Sequence, residues 1–259
     1  MLPILQLGPL ALQVPGLVLL AGLWFGLSLV ERAGLRRQLP ADALNGLVLA
    51  MLVTGLLGAR LAYVVRFASV YWQDPLGIIA LNFSTLALPE GVLLGLAAGL
   101  VYGQRRGLPL WPTLDALAPG LACLGVALGL SHLASGDAFG APTDLPWALD
   151  LWGARRHPSQ LYEIVAASGI LFASWRMQAG QRPAGTTFLA TVALMALARL
   201  LLEAIRGDSL IVLGTLRQAQ LVSLLALQLA LAGLFLRERN AARRLISTDQ
   251  VGSDPESPT

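Results

Sequence analysis

Arg155-Arg156-His157-Pro158-Ser159-Gln160-Leu161-Tyr162-Glu163 is a polar nonapeptide that stops where an apolar run, Ile164 to Phe172, begins. Proline disfavours helix for the histidine before it, and Ser159 is placed to cap whatever helix follows. The stretch therefore predicts a helix start at a membrane boundary. Two cations, an imidazole, an amide, a phenol and a carboxylate are gathered there, more chemistry than a cap alone requires.

The rest of the chain explains the boundary. Of 259 residues 56% are hydrophobic and 13% charged, and the mean hydropathy is +0.67, which excludes an ordinary soluble domain. A net charge of +3 and a pI near 9.6 do not imply nucleic acid. The arginines stand in ones and twos between apolar segments, with no basic face. All 18 basic residues are arginine. Cys123 is the only cysteine and lies in an apolar run, so there is no disulfide framework or thiolate metal cluster, and it reads as a small buried hydrophobe.

A membrane-crossing helix needs roughly 20 mostly apolar residues, and seven segments qualify: about 11–30, 43–65, 86–103, 114–133, 160–178, 185–205 and 217–236. The fold class expected is all-α, a polytopic membrane protein of seven transmembrane helices over residues 1–240. The first segment has neither a basic n-region before it nor a small-residue cleavage site after it, and reads as a retained helix. Arg32, Arg36, Arg37, Arg105, Arg106, Arg176, Arg182, Arg237, Arg239, Arg243 and Arg244 fall on one side of the segments; Arg66, Arg155, Arg156, Arg206 and Arg217 fall on the other. The larger set is expected in the cytoplasm, with the N-terminus outside and the C-terminus inside. The connection over about 133–158, rich in glycine, proline and tryptophan, is then a small extracytoplasmic cap. Residues 241–259 are expected to be a disordered cytoplasmic tail. The chain shows no inverted repeat of the transporter kind.

Charges at membrane depth are costly unless paired or in contact with water. Arg199, Glu203 and Arg206, spaced i, i+4, i+7 in the sixth segment, share a face. They are either an ion pair that fixes packing or a cation held ready for phosphate by its carboxylate partner, work that suits the arginine fork. Arg60 is either an interface anchor or a functional cation. His132 ends the fourth segment, as a C-terminal cap or a base. Glu90 follows Pro89 at the start of the third, where a carboxylate suits the helix dipole. The sequence contains no Gly-rich phosphate loop, zinc motif or carboxylate cage, so neither metal nor cofactor is expected.

In these features the chain resembles the prolipoprotein diacylglyceryl transferase family of bacterial inner membranes. Arg156-His157-Pro158-Ser159-Gln160-Leu161-Tyr162-Glu163 is identical to the family's signature octapeptide. Leu7-Gly8-Pro9, Gly58-Ala59-Arg60-Leu61, Arg199 with Glu203 and Arg206, and Gln220-Leu221-Val222-Ser223 match in order, and the resemblance covers about residues 4–240. It implies seven helices with the N-terminus outside, in the bacterial inner membrane. It also implies transfer of a diacylglyceryl group from phosphatidylglycerol, or a similar anionic phospholipid, to the lipobox cysteine of a secreted precursor.

The chain departs from the family pattern at several positions. Pro15-Gly16 stands where the family has a tyrosine before the glycine, and Leu88-Pro89-Glu90-Gly91 stands where it has a His-Gly-Gly run. Gly129 takes the place of an arginine, His132 and Ser135 those of two asparagines, Asp137 that of a glutamate, and Met195 that of a tyrosine. One of two phosphate-gripping arginines and the family histidine are thus replaced. The transfer requires a thiol to lose its proton and attack a glycerol carbon while glycerol phosphate leaves. The catalytic set expected is Arg199 on the phosphate, Glu203 orienting it, and His132 or Glu90 as base. Arg60, Arg156, His157, Tyr162 and Arg206 are expected to bind substrate, with His157 and Tyr162 positioning the outer mouth. The alternative is a non-catalytic family member that binds phospholipid or lipoprotein precursor.

Overall fold

The computed structural model describes residues 4–7, 10–73, 75–78, 85–180, 182–212 and 216–251. Gly8 and Pro9 of the first motif and residues 252–259 lie outside them. Seven long helices carry the seven apolar segments: α1 (Val14–Arg36), α2 (Ala41–Arg66), then, after a short α3 (Ala68–Gln73), α4 (Leu88–Arg105), α5 (Leu110–Ser135), α6 (Ser159–Met177), α7 (Thr186–Glu203) and α8 (Gln218–Val251). The last continues past Arg244, where the sequence turns polar. Among the described residues five helices, α1, α2, α5, α7 and α8, are long and apolar enough to cross a membrane. At 18 and 19 residues, α4 and α6 are of similar length, but glycine, serine and polar residues dilute them.

Two compact units divide the chain, Gly34–Thr113 and the remainder. In the first, α4 packs on α2 through a glycine every fourth residue. Gly91, Gly95, Gly99 and Gly103 are all buried, and a Cβ at Gly91 would lie 2.6 Å from the Gly55 carbonyl oxygen, one at Gly95 2.8 Å from that of Met51. Small residues at this spacing let helix backbones meet closely, which is how helices associate where lipid removes the hydrophobic drive.

In the second unit α1 meets α5 at Gly26 and Gly120, and α8 meets α7 where Gly233 faces Leu189. Asp115 of α5 is fully buried and caps α7 from outside that helix. Its Oδ2 accepts the Gly185 N–H at 2.7 Å and its Oδ1 the Phe188 N–H at 2.8 Å, satisfying amides the helix cannot. Gly185, at φ 95°, supplies the left-handed residue that starts α7.

Short antiparallel hairpins complete the fold: β1 (Ile4–Leu7) with β2 (Leu10–Gln13), β3 (Leu149–Leu151) with β4 (Ala154–Arg156), and β5 (Ile211–Val212) with β6 (Leu216–Arg217). Trp152 and Gly153 join β3 to β4 and both have positive φ, as the primed two-residue turns of hairpins require. Residues 139–141 run against 205–207, through the Ala141 N–H to the Ile205 carbonyl at 2.8 Å and the Gly207 N–H to the Phe139 carbonyl at 2.9 Å. The end of α7 is thereby tied to the connection that leads into the signature octapeptide.

One sequence expectation is corrected here. Ser159 is not the cap of α6. Pro158 holds that position without a side-chain hydrogen bond, and Ser159, already helical, donates its hydroxyl to the Ala138 carbonyl at 2.5 Å. Proline's fixed φ starts the helix, which leaves the serine free for a long-range bond.

Candidate active site

Glu163 lies in the second turn of α6, His132 in the last turn of α5, and Arg199 near the end of α7. The three helices bring them together. His132 Nδ1 is 2.8 Å from Glu163 Oε2, and Arg199 Nη1 is 4.0 Å from Glu163 Oε1. Close approach of α5 and α6 makes this possible: a Cβ on Gly129 would lie 2.9 Å from Ile164 Cγ1 and 3.5 Å from Glu163 Cγ.

Arg199 and Glu203 share a face of the seventh helix as their spacing predicts, whereas Arg206, expected on the same face, lies beyond the helix end. Arg199 Nη2 is 3.1 Å from Glu203 Oε2 and Arg206 Nε is 3.9 Å from the same oxygen. Arg206 lies just beyond α7 and turns to Asp208, which accepts from its Nε and Nη2 at 2.9 Å each. Burial opposes charge on both partners of this fork, but the mutual hydrogen bonds and opposite charges prevail. The Arg206 guanidinium is pushed above its ordinary value, with help from Glu203 and Glu163, and the Asp208 carboxyl is held below its own. Arg217 donates to the Glu203 carbonyl, to the Arg206 carbonyl at 2.7 Å and to Ser209 Oγ at 3.1 Å, so it satisfies the free carbonyls at the end of α7.

A cavity of about 400 Å³ opens beside this cluster. His132, Glu163, Arg199 and Arg206 line its polar part; Ala122, Gly125, Ala166, Ala167, Ile170, Met195 and Leu202 line the rest. An apolar chamber ending in a cation, an imidazole and a carboxylate suits an amphiphile with a phosphate head and a reaction that needs a proton acceptor.

The other predicted residues have their own partners. Arg60 donates to the Ile78 carbonyl at 3.1 Å, to the Thr85 carbonyl at 3.0 Å and to Thr85 Oγ1, and its guanidinium lies 5.4 Å from the Tyr71 ring centre. Glu90 pairs with Arg66 at the start of α4. Both belong to the Gly34–Thr113 unit. Arg156 donates to the Leu151 carbonyl at 3.1 Å and lies over the Phe139 ring, bracing the β3–β4 hairpin. Tyr162 accepts a hydrogen bond from Trp147 Nε1 at 2.6 Å, and the His157 ring lies 6.3 Å from that of Tyr162. Among the described residues no three His, Cys, Asp or Glu side chains form a metal-ligating group.

The sequence alone assigns no chemical role to Glu163 of the octapeptide, to Asp208 or to Arg217. A carboxylate one turn inside an apolar helix was the available signal for Glu163.

Comparison with known proteins gives one family. A family model described as prolipoprotein diacylglyceryl transferase matches residues 3–236. The phosphatidylglycerol–prolipoprotein diacylglyceryl transferase of Trichormus variabilis is 33% identical over 91% of this chain and 90% of its own length. The protein of the same name from Gloeobacter violaceus is 34% identical over 93% and 94%, and that from Clostridioides difficile 28% over 81% and 84%.

Proposed function

The chain belongs to the prolipoprotein diacylglyceryl transferase family, and from that membership we propose that it transfers a diacylglyceryl group from phosphatidylglycerol to the cysteine thiol of a lipobox precursor. The observation that carries the proposal is the meeting of Arg199 with the His132–Glu163 pair at the polar end of an apolar cavity.

In the proposed reaction the cavity takes the acyl-bearing part of the donor lipid. Arg199 grips the phosphate, held in place by Glu203. With Nδ1 engaged by Glu163, the histidine keeps Nε2 as the proton acceptor. The thiol gives its proton to His132, sulfur attacks the glycerol carbon that bears the phosphate, and the carbon–oxygen bond breaks. Glycerol phosphate leaves with the electron pair, its charge countered by Arg199 and Arg206. This role for His132 fits a chain in which Gly129 stands where the family has an arginine and Leu88-Pro89-Glu90-Gly91 where it has a His-Gly-Gly run, because the base then comes from the last turn of α5. Arg60 and Glu90, each engaged within its own unit, support structure in this reading. His157, Tyr162 and Arg156 shape the outer mouth. All seven long helices cross the bacterial inner membrane, with the N-terminus outside, the C-terminus cytoplasmic, and residues 133–158 as the external cap.

The test is alkylation of a lipobox peptide in phosphatidylglycerol vesicles. The parent protein should form thioether-linked product and Arg199→Ala none. Turnover retained in Arg199→Ala sinks the phosphate role. Phospholipid that co-purifies with a parent protein unable to turn over any lipobox peptide would instead assign the chain to binding.

A further inference from the structure

Gln38, Ala138 and Trp152 are the non-glycine residues with positive φ among those described, and of the three only Ala138 is buried. It stands at φ 56° and is 2% exposed. A residue with a Cβ avoids that conformation, so its surroundings must hold it there.

Three hydrogen bonds do so. Ser159 donates its hydroxyl to the Ala138 carbonyl at 2.5 Å, and Gln160 Nε2 donates to the Asp137 carbonyl at 2.9 Å. Both side chains are buried, and both belong to the octapeptide. On the other side, the Ala138 N–H donates to the Asp208 carboxylate. Gln160 Oε1 is buried and has no hydrogen-bond partner among the described residues, a cost that an amide placed for stability alone would avoid. Strain at Ala138 and an unpartnered oxygen at Gln160 thus fall at the same spot, and both accompany bonds that fix residues 137 and 138.

What the spot fixes in turn is Arg206. Asp208 accepts from Arg206 Nε and Nη2 at 2.9 Å each, and that guanidinium lines the cavity. The backbone on both sides of Arg206 is tied to the same loop, Ile205 to Ala141 and Gly207 to Phe139, and a Cβ on Gly207 would lie 2.8 Å from the Gly140 carbonyl oxygen. The loop therefore has no room to shift without moving the arginine.

We propose that Ser159 and Gln160 are positioning residues: they pin the strained Ala138, its amide holds Asp208, and Asp208 holds the Arg206 guanidinium in the cavity wall. The consequence for turnover rests on the transferase reading, in which Arg206 counters the charge of the leaving group; the relay itself does not. The role adds a reason for the serine and the amide of the octapeptide, neither of which lines the cavity.

The experiment is a double-mutant cycle between Ser159→Ala and Asp208→Ala in the full chain, read as lipobox-peptide alkylation per folded molecule in phosphatidylglycerol vesicles and as the unfolding midpoint in detergent. One buried hydrogen bond corresponds to about a tenfold change, so Ser159→Ala should lower the rate about tenfold in the parent and change it little once Asp208 is alanine. The two midpoint losses should likewise sum to less than their separate values. Gln160→Met, which keeps the volume and removes the donor, should behave as Ser159→Ala does. Ala138→Gly, for which φ 56° carries no strain, should return most of the lost rate and midpoint to Ser159→Ala. Rates that multiply, midpoint losses that add in full, or a Ser159→Ala protein that Ala138→Gly does not help each overturn the relay and leave the transferase reading standing. Coupled midpoints and rescue by Ala138→Gly in a parent protein that alkylates no lipobox peptide leave the relay standing and sink the transferase reading.

Discussion

His132 Nδ1 and Glu163 Oε2 meet at 2.8 Å across 31 residues of sequence, and the contact joins the last turn of α5 to the second turn of α6. Glu163 in turn faces Arg199 on α7. One carboxylate thus links three helices at the polar end of the cavity, where a proton acceptor and a phosphate-binding cation have to work together.

If His132 takes the thiol proton, His132→Asn should lower kcat by about two to four powers of ten, the usual worth of a positioned base. Glu163→Gln, which keeps a hydrogen bond and loses the charge, should cost about 10–100-fold, as loss of an orienting partner commonly does. A His132→Asn enzyme with the parent's rate would remove the histidine from the mechanism.

Gly129 sets the spacing that the pair depends on. Alanine in a helix gains about 1 kcal/mol over glycine, but overpacking costs about 1–3 kcal/mol. The new methyl would lie 2.9 Å from Ile164 Cγ1 and 3.2 Å from the Ile164 backbone nitrogen. The steric term should win. Gly129→Ala is therefore expected to unfold at lower temperature in detergent and to lose transferase activity beyond its loss of folded protein, because α6 carries Glu163. An arginine there, the family residue, should be no better tolerated. A stabilised Gly129→Ala would show that the helices yield.

Much of this was legible in the sequence, for identifiable reasons. Apolar runs of membrane length fix the long helices, and i, i+4 spacing alone places Arg199 and Glu203 together. Contacts between distant segments were not legible. The Ser159 bond to Ala138 and the Glu163 contact with His132 depend on how the chain returns after about 20 to 30 residues, and local capping rules carry no such information. Arg156 illustrates the same limit. The octapeptide marks it as chemically interesting, but only the hairpin geometry shows it spent on the Leu151 carbonyl and the Phe139 ring.

Asp115 should matter to stability and not to chemistry. Its two oxygens accept the Gly185 and Phe188 N–H groups, and each buried amide left without an acceptor costs about 1–3 kcal/mol. Asp115→Ala is expected to lose about 2–6 kcal/mol on that account. Asp115→Asn, with one oxygen remaining, should lose roughly half as much. Thermal unfolding in detergent gives the order, and the activity per folded molecule should match the parent's. An Asp115→Ala protein as stable as the parent would show that water or other groups satisfy these amides.

The Arg206–Asp208 fork predicts how acid acts on the end of α7. Burial alone would raise the Asp208 carboxyl; the bond to Arg206, its charge and the backbone amides of Asp208 and Ala138 outweigh burial and hold it low. A carboxyl whose folded value lies below its unfolded one contributes stability that is complete above the unfolded value, about 3.9 for aspartate. That contribution is lost as pH falls through the folded value. Arg206 stays charged throughout and adds no slope. The stability difference between the parent and Asp208→Asn should therefore be constant at mildly acidic and neutral pH and close progressively below about pH 4. Unfolding followed across that range decides the matter, and a difference that persists unchanged into strong acid would mean that the fork acts through packing, with the carboxylate charge contributing nothing.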